Sequence, residues 1–111
     1  MKEQLINLSK KVGFISVDNL IKVNDSYYYL WMCELQKWLM ESHNIYAIPD
    51  STFTMALKTN IGFYSNVFTP NLNSSTVCFK TIYYSESFYY HFEEALEEGL
   101  YKACEFLKNN I

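Results

Sequence analysis

The sequence predicts a small α+β domain in α-α-β-β-β-α order. A small antiparallel sheet of three to four strands in the middle of the chain packs against a central and a C-terminal helix, with a short helix at the N-terminus. Three observations carry this reading. Between Ser26 and His43, the residues Tyr28, Trp31, Met32, Leu35, Trp38 and Leu39 recur at steps of three and four, the period that lines one face of an α-helix. Between Ile45 and Tyr84 that period gives way to short β-branched and aromatic runs punctuated by Asn, Pro, Gly and Ser. From Ser85 onward the helical period returns.

The 111 residues are expected to form one domain, 1–111, large enough to bury a core without disulfides or a structural metal. Half of the residues are hydrophobic and 19% charged, which excludes a disordered chain. The longest unbroken apolar run, Tyr27 to Cys33, is far below the roughly 20 residues of a membrane-spanning helix. No basic leader followed by an apolar segment stands at the N-terminus, so a soluble, cytoplasmic protein is expected. Cys33, Cys78 and Cys104 are odd in number and widely spaced, which argues against a disulfide framework.

In chain order, Lys2 to Val12 places Leu5, Ile6, Leu8 and Val12 on one side of a short helix, with Gly13 as the left-handed residue that stops it. Phe14, Ile15 and Val17 are expected to continue toward the core, and 16–25 is a helical turn or an extended connector. Asp25 or Ser26 would cap the central helix and Asn44 would end it. Ile45 to Ile48 and Thr52 to Lys58 read as strands joined in a hairpin through Pro49, Asp50 and Ser51. Phe63 to Thr69 is a third short strand stopped by Pro70, and Pro70 to Ser75 is a loop. Thr76 to Tyr84 is extended but lacks clear polar and apolar faces. It fits either a strand covered on both sides or one that exposes an aromatic face to a partner.

The last helix is expected to start at an N-cap of Ser85 or Ser87 and to reach Leu107 or Lys108. Its stripe runs through Phe88, Phe92, Ala95, Leu96, Gly99, Leu100, Ala103, Phe106 and Leu107. Glu93, Glu94, Glu97 and Glu98 precede Lys102 and Lys108, the order the helix dipole favours, and Glu98 stands four residues before Lys102. Gly99 inside a helix costs roughly 1 kcal/mol against alanine, so close approach of a backbone or a large ring is expected at the column Ala95, Gly99, Ala103. The ring of Trp31 or Trp38 is the expected filler.

The segments YYLWMCELQKWLMESHNI and EEALEEGLYKACEFL, which with Gly13 and Phe14 cover about half of the chain, resemble a family of small uncharacterised proteins of Bacteroidetes, their phages and mobile elements. The shared pieces are Gly13 with Phe14, Glu34 to Leu39, His43 with Ile45, and Glu93 to Leu100. Where that pattern often has a basic residue after ELQKWL, this chain has Met40. The resemblance implies a phage or mobile-element setting and supports the fold, but it carries no established activity.

Residue chemistry argues against an enzyme. His43, at the end of the central helix, is read as a cap on the negative end of its dipole, and His91 as a surface residue. Cys33 and His43 lie nearly three turns apart, so only a tertiary contact of Cys78 with His43 or His91 would make a thiol site. The sequence has no metal-ligand spacing and no glycine-rich phosphate loop, so neither metal nor cofactor is expected. All nine basic residues are lysine and the net charge is −3, which disfavours nucleic acid as a partner. The 18% aromatic content is also what an AT-rich coding sequence would yield. Successive tyrosines cannot all face one core, which makes Tyr27, Tyr29, Tyr89 and Tyr90 the candidate interaction surface. The leading expectation is a non-enzymatic protein acting through protein contacts, a second copy of itself included. A nucleic-acid accessory protein and a small thiol enzyme are the alternatives.

Overall fold

The computed structural model describes residues 1–15, 25–54, 59–71, 78–86 and 88–110, of which 25, 26, 52–54, 59–61, 71 and 78 are described by backbone alone. It is an α+β fold. Helix α1 (Lys2–Lys11) and helix α2 (Asp25–His43) precede strands β1 (Tyr46–Ala47), β2 (Asp50–Thr54), β3 (Thr59–Tyr64), β4 (Asn66–Asn71) and β5 (Cys78–Tyr84), and helix α3 (Phe92–Asn109) closes the chain. No described helix is long and apolar enough to cross a membrane.

The helices end as their residues dictate. Gly13 takes φ +102° and lets Phe14 N–H reach the Ser9 carbonyl at 2.9 Å and Gly13 N–H reach that of Lys10 at 3.1 Å, the paired bonds of a Schellman stop. Asn44 takes φ 56°, and Ile45 N–H then bonds the Leu39 carbonyl at 3.1 Å. The capping roles expected of Asp25 and Ser26 lie outside the described side chains.

Leu5, Ile6, Leu8 and Val12 of the first helical segment join Trp31, Met32, Leu35 and Leu39 of α2 and Leu96, Leu100, Ala103 and Leu107 of α3 in one buried cluster. Phe14 enters it, its ring 5.9 Å from Trp31 and 5.4 Å from Trp38, whereas Ile15 is 93% exposed and does not follow it. Val17 lies outside the described residues.

The strands differ from the expected hairpin of 45–48 with 52–58. Tyr46 and Ala47 lie opposite Phe68 and Val67, and Asp50 and Ser51 opposite Tyr64 and Phe63. One register therefore runs through both pairs, and β1 and β2 are successive lengths of one path that bends at Ile48 and Pro49. Its partner is β3 followed by β4, interrupted at Ser65. On the other side of β4, β5 completes the sheet order β1-β4-β5, and the path continues past Ser85 to a two-way bridge between Phe63 and Tyr89. Pro70 does not stop β4: it lies opposite Phe79, at a point where β1 no longer runs alongside.

The same bridge moves the start of the last helix. Tyr89 N–H donates to the Phe63 carbonyl at 2.7 Å and Phe63 N–H to that of Tyr89 at 2.8 Å, which holds this residue extended. The helix begins at Phe92 behind His91, and neither expected serine caps it. Ser85 is buried instead, its Oγ accepting the Ser65 N–H at 2.9 Å; Ser87 lies outside the described residues. The approach expected at Gly99 is not found: the sheet and not an indole faces it, at ordinary contact distance, a Cβ there standing 3.8 Å from both Ala47 Cβ and Val67 Cγ2.

Candidate interaction surface

Alternation along the strands separates two faces. Ala47, Ser65 and Val67 point at α3, so their neighbours Tyr46, Tyr64, Asn66 and Phe68 point away from the helices. A bulge on β5 moves the register from Tyr83 opposite Val67 to Thr81 opposite Phe68. It lets Ile82 and Tyr83 both pack toward the core and leaves Thr81 and Tyr84 on the outer side. This extra residue is why strict alternation could not assign faces to the segment.

The outer face is aromatic. At one end Phe68 stacks on Tyr46 at 5.4 Å and meets the edge of Phe79 at 5.1 Å. At the other, Tyr64 stacks on Tyr84 at 5.5 Å and contacts Phe88, which contacts Tyr90 at 5.5 Å. Gly62 makes the seat for Phe88: any Cβ there would overlap the Phe88 ring and stand 2.8 Å from the Tyr89 carbonyl oxygen. Phe68 and Phe79 of the first group line, with Asn66 and Thr81, an open groove of about 240 Å³. Phe79 is 61%, Tyr84 46%, Phe88 39% and Tyr90 76% exposed.

The four tyrosines singled out by sequence divide. Tyr90 belongs to this outer face. Tyr89 is half-buried and directs its hydroxyl to Glu98. Tyr27 is exposed on α2, while Tyr29, half-buried, interacts with Cys33 and lies near Glu93. Tyr28, Tyr29, Met32, Glu93, Glu94 and Glu97 line a second groove of about 150 Å³ between the helices, in which the Tyr28 hydroxyl donates to Glu97. Sequence reading left the sides of Phe79 and Tyr84 open, which the bulge and the pairing partners fix, and placed Phe88 in the stripe of the last helix, from which the Phe63–Tyr89 bonds remove it.

The ionisable groups that the fold gathers are bonded to one another. Glu98 accepts hydrogen bonds from Tyr83 and Tyr89, and Ser65 Oγ lies 2.9 Å from its Oε2 and 2.8 Å from the Ala95 carbonyl, so one proton serves two acceptors. Burial works against the charged form of Glu98. The hydroxyls of Tyr83, Tyr89 and Ser65 and the charge of Lys102 outweigh it and hold the carboxyl below its ordinary range. The same bonds, with burial, push Tyr83 and Tyr89 up to about 12. Lys102, expected to pair with Glu98, lies 3.8 Å from Glu105 and over the Tyr83 ring. A carboxylate so supplied with donors is a poor proton acceptor and acts as a joint between α3 and the sheet.

His43 packs its ring against Trp38 at 4.7 Å, and His91 is exposed at the start of α3. Cys33 and Cys104 are free thiols, Cys104 fully buried. The side chain of Cys78, on which a thiol site would depend, lies outside the described residues. Among the described residues no three His, Cys, Asp or Glu side chains converge as a metal site requires. Comparison of the chain with protein-family models, with curated proteins and with solved structures finds no match.

Proposed function

We propose that the protein is a non-enzymatic interaction domain that acts through protein contacts made by the outer face of its sheet. One observation carries this reading: aromatic rings occupy both ends of that face, and four of them are substantially exposed. Isolated exposed aromatics are ordinary, whereas adjacent ones on a sheet face are the composition of an interface core. The bonding of Glu97 and Glu98 to tyrosines, in place of an open catalytic arrangement, fits the same reading. The free thiols Cys33 and Cys104 fit a reducing, cytosolic setting. A phage or mobile-element setting rests on the sequence resemblance alone.

Site-specific photo-crosslinking tests the proposal. A photoreactive phenylalanine at position 79 or 90 should give a discrete protein adduct in cells expressing the chain, and the same group at Tyr27 on α2 should not. Equal labelling at all three positions, or adducts at none, would refute it. Exposed rings can also stack single-stranded bases, but the chain has no arginine and a net charge of −3. A mobility shift of single-stranded DNA or RNA at low salt that is lost in Phe79→Ser would favour that alternative.

A further inference from the structure

We infer that the occupant of the outer sheet face is a second copy of the same chain, related by a twofold axis that passes near Asn66. This inference rests on the reading of that face as the interaction surface and goes on to name its partner.

Area is the first argument. The exposed fractions of Phe79, Tyr84, Phe88 and Tyr90 together equal about two fully exposed rings, roughly 300–500 Å² of aromatic surface. A standard stable interface buries about 800 Å² per partner, with an apolar core and a polar rim. The four rings thus supply about half of that area as an apolar core, and the flanking residues of the same face supply the rim.

Charge is the second. The chain carries a net −3, and α3 holds Glu93, Glu94, Glu97, Glu98 and Glu105 against Lys102 and Lys108, so two copies approaching through α3 would repel. The outer-face residues Tyr46, Tyr64, Asn66, Phe68, Thr81 and Tyr84 bear no charge at neutral pH. Asp50, opposite Tyr64 and accepting from the Tyr84 hydroxyl at 3.3 Å, brings one carboxylate per copy to this face. Two acidic molecules therefore meet here with less like charge than across α3.

Self-complementarity is the third. A twofold contact must be made by a surface that fits itself. Asn66, opposite Tyr84 and between Tyr64 and Phe68 on the outer side, separates the two aromatic groups, and rotation about an axis between them sets each group against the other group of the partner. The Asn66 side chain offers both a donor and an acceptor, so it can bond its own symmetry mate reciprocally.

Sedimentation equilibrium over a concentration series provides the test, with near-ultraviolet circular dichroism verifying that each variant is folded. The wild-type chain should show a monomer–dimer equilibrium. Phe79→Ser and Tyr90→Ser should weaken it by about tenfold or more, as loss of a central aromatic does, while Tyr27→Ser leaves it unchanged. Asn66→Asp separates a second copy from any other partner, because two carboxylates then meet at the axis; dimerisation should weaken at neutral pH and recover as the pH falls through the carboxylate range. A strict monomer to about 1 mM overturns the inference, as does a dimer indifferent to Phe79→Ser, Tyr90→Ser and Asn66→Asp. If a strict monomer still gives discrete foreign adducts from positions 79 and 90, the second copy is eliminated and the interaction surface stands. With neither a dimer nor adducts, both are refuted.

Discussion

Gly62→Ala is expected to destabilise the protein far more than an ordinary Gly→Ala change in a strand, because a close contact opposes it. The added Cβ would overlap the Phe88 ring and stand 2.8 Å from the Tyr89 carbonyl oxygen, so both must move. Moving Tyr89 endangers its two backbone hydrogen bonds with Phe63, each contributing about 0.5–1.5 kcal/mol. Moving Phe88 loosens its ring contacts with Tyr64 and Tyr90, about 0.5–1.5 kcal/mol each where fully made. Partial loss of these terms gives a destabilisation of about 2–3 kcal/mol, within the range for overpacking. For a domain of this size that corresponds to a fall in Tm of roughly 10 °C. Urea unfolding followed by the fluorescence of Trp31 and Trp38, with unchanged m, provides the measurement. A midpoint equivalent to less than about 0.5 kcal/mol of destabilisation would show that Phe88 does not sit over Gly62, and would remove one end of the aromatic face.

Gly99→Ala should do the reverse: its Cβ meets neighbours at 3.8–4.0 Å, ordinary contact, so the gain in helix propensity of up to about 1 kcal/mol should raise Tm. Leu35→Ala, at a fully buried position of α2, should cost about 2–5 kcal/mol in the same denaturation experiment. Glu98→Gln gives the surrounding hydroxyls fewer acceptors and should cost about 1–2 kcal/mol at pH 7. Because the folded-state pKa of Glu98 lies below its ordinary 4.5, that difference from wild type should be fully present above about pH 4.5 and vanish as the pH falls through the folded value. Tyr83 and Tyr89, raised from 10.0 to about 12, should contribute stability that is complete below pH 10 and lost as the pH rises through 12. Burial pushes the Cys104 thiol up to about 12, so native alkylation near pH 8 followed by peptide mapping should leave Cys104 unlabelled until the protein unfolds.

The helices were legible where periodicity, stop signals and burial coincide. Residues 26–43 fall within a helix that begins at Asp25, with Leu35 and Leu39 in the core and a left-handed Asn44 at its end, all properties of neighbouring residues. Phe88 illustrates the limit of that reasoning. It shares the three-and-four spacing of α3, yet the bonds between Phe63 and Tyr89 keep the chain extended there, and the Phe88 ring lies over Gly62. No window around Phe88 contains Gly62 or Phe63. The candidate surface was legible only in part: the surplus of tyrosines showed that some must leave the core, and Tyr90 does, but the sides taken by Phe79 and Tyr84 follow from a bulge and from distant partners.

The sequence by itself determined the α+β class, the order of helices and strands and the identity of most helical core positions, because these follow from side-chain period and local backbone preference. Only the tertiary structure decided that β1 and β2 form one strand path, that the sheet faces Gly99, and that Glu98 turns toward the hydroxyls of the sheet. It also decided that the aromatic rings of four separate strands share one open face. Strand register is a relation between residues far apart in the chain, and a shift of one residue exchanges the two faces of a strand.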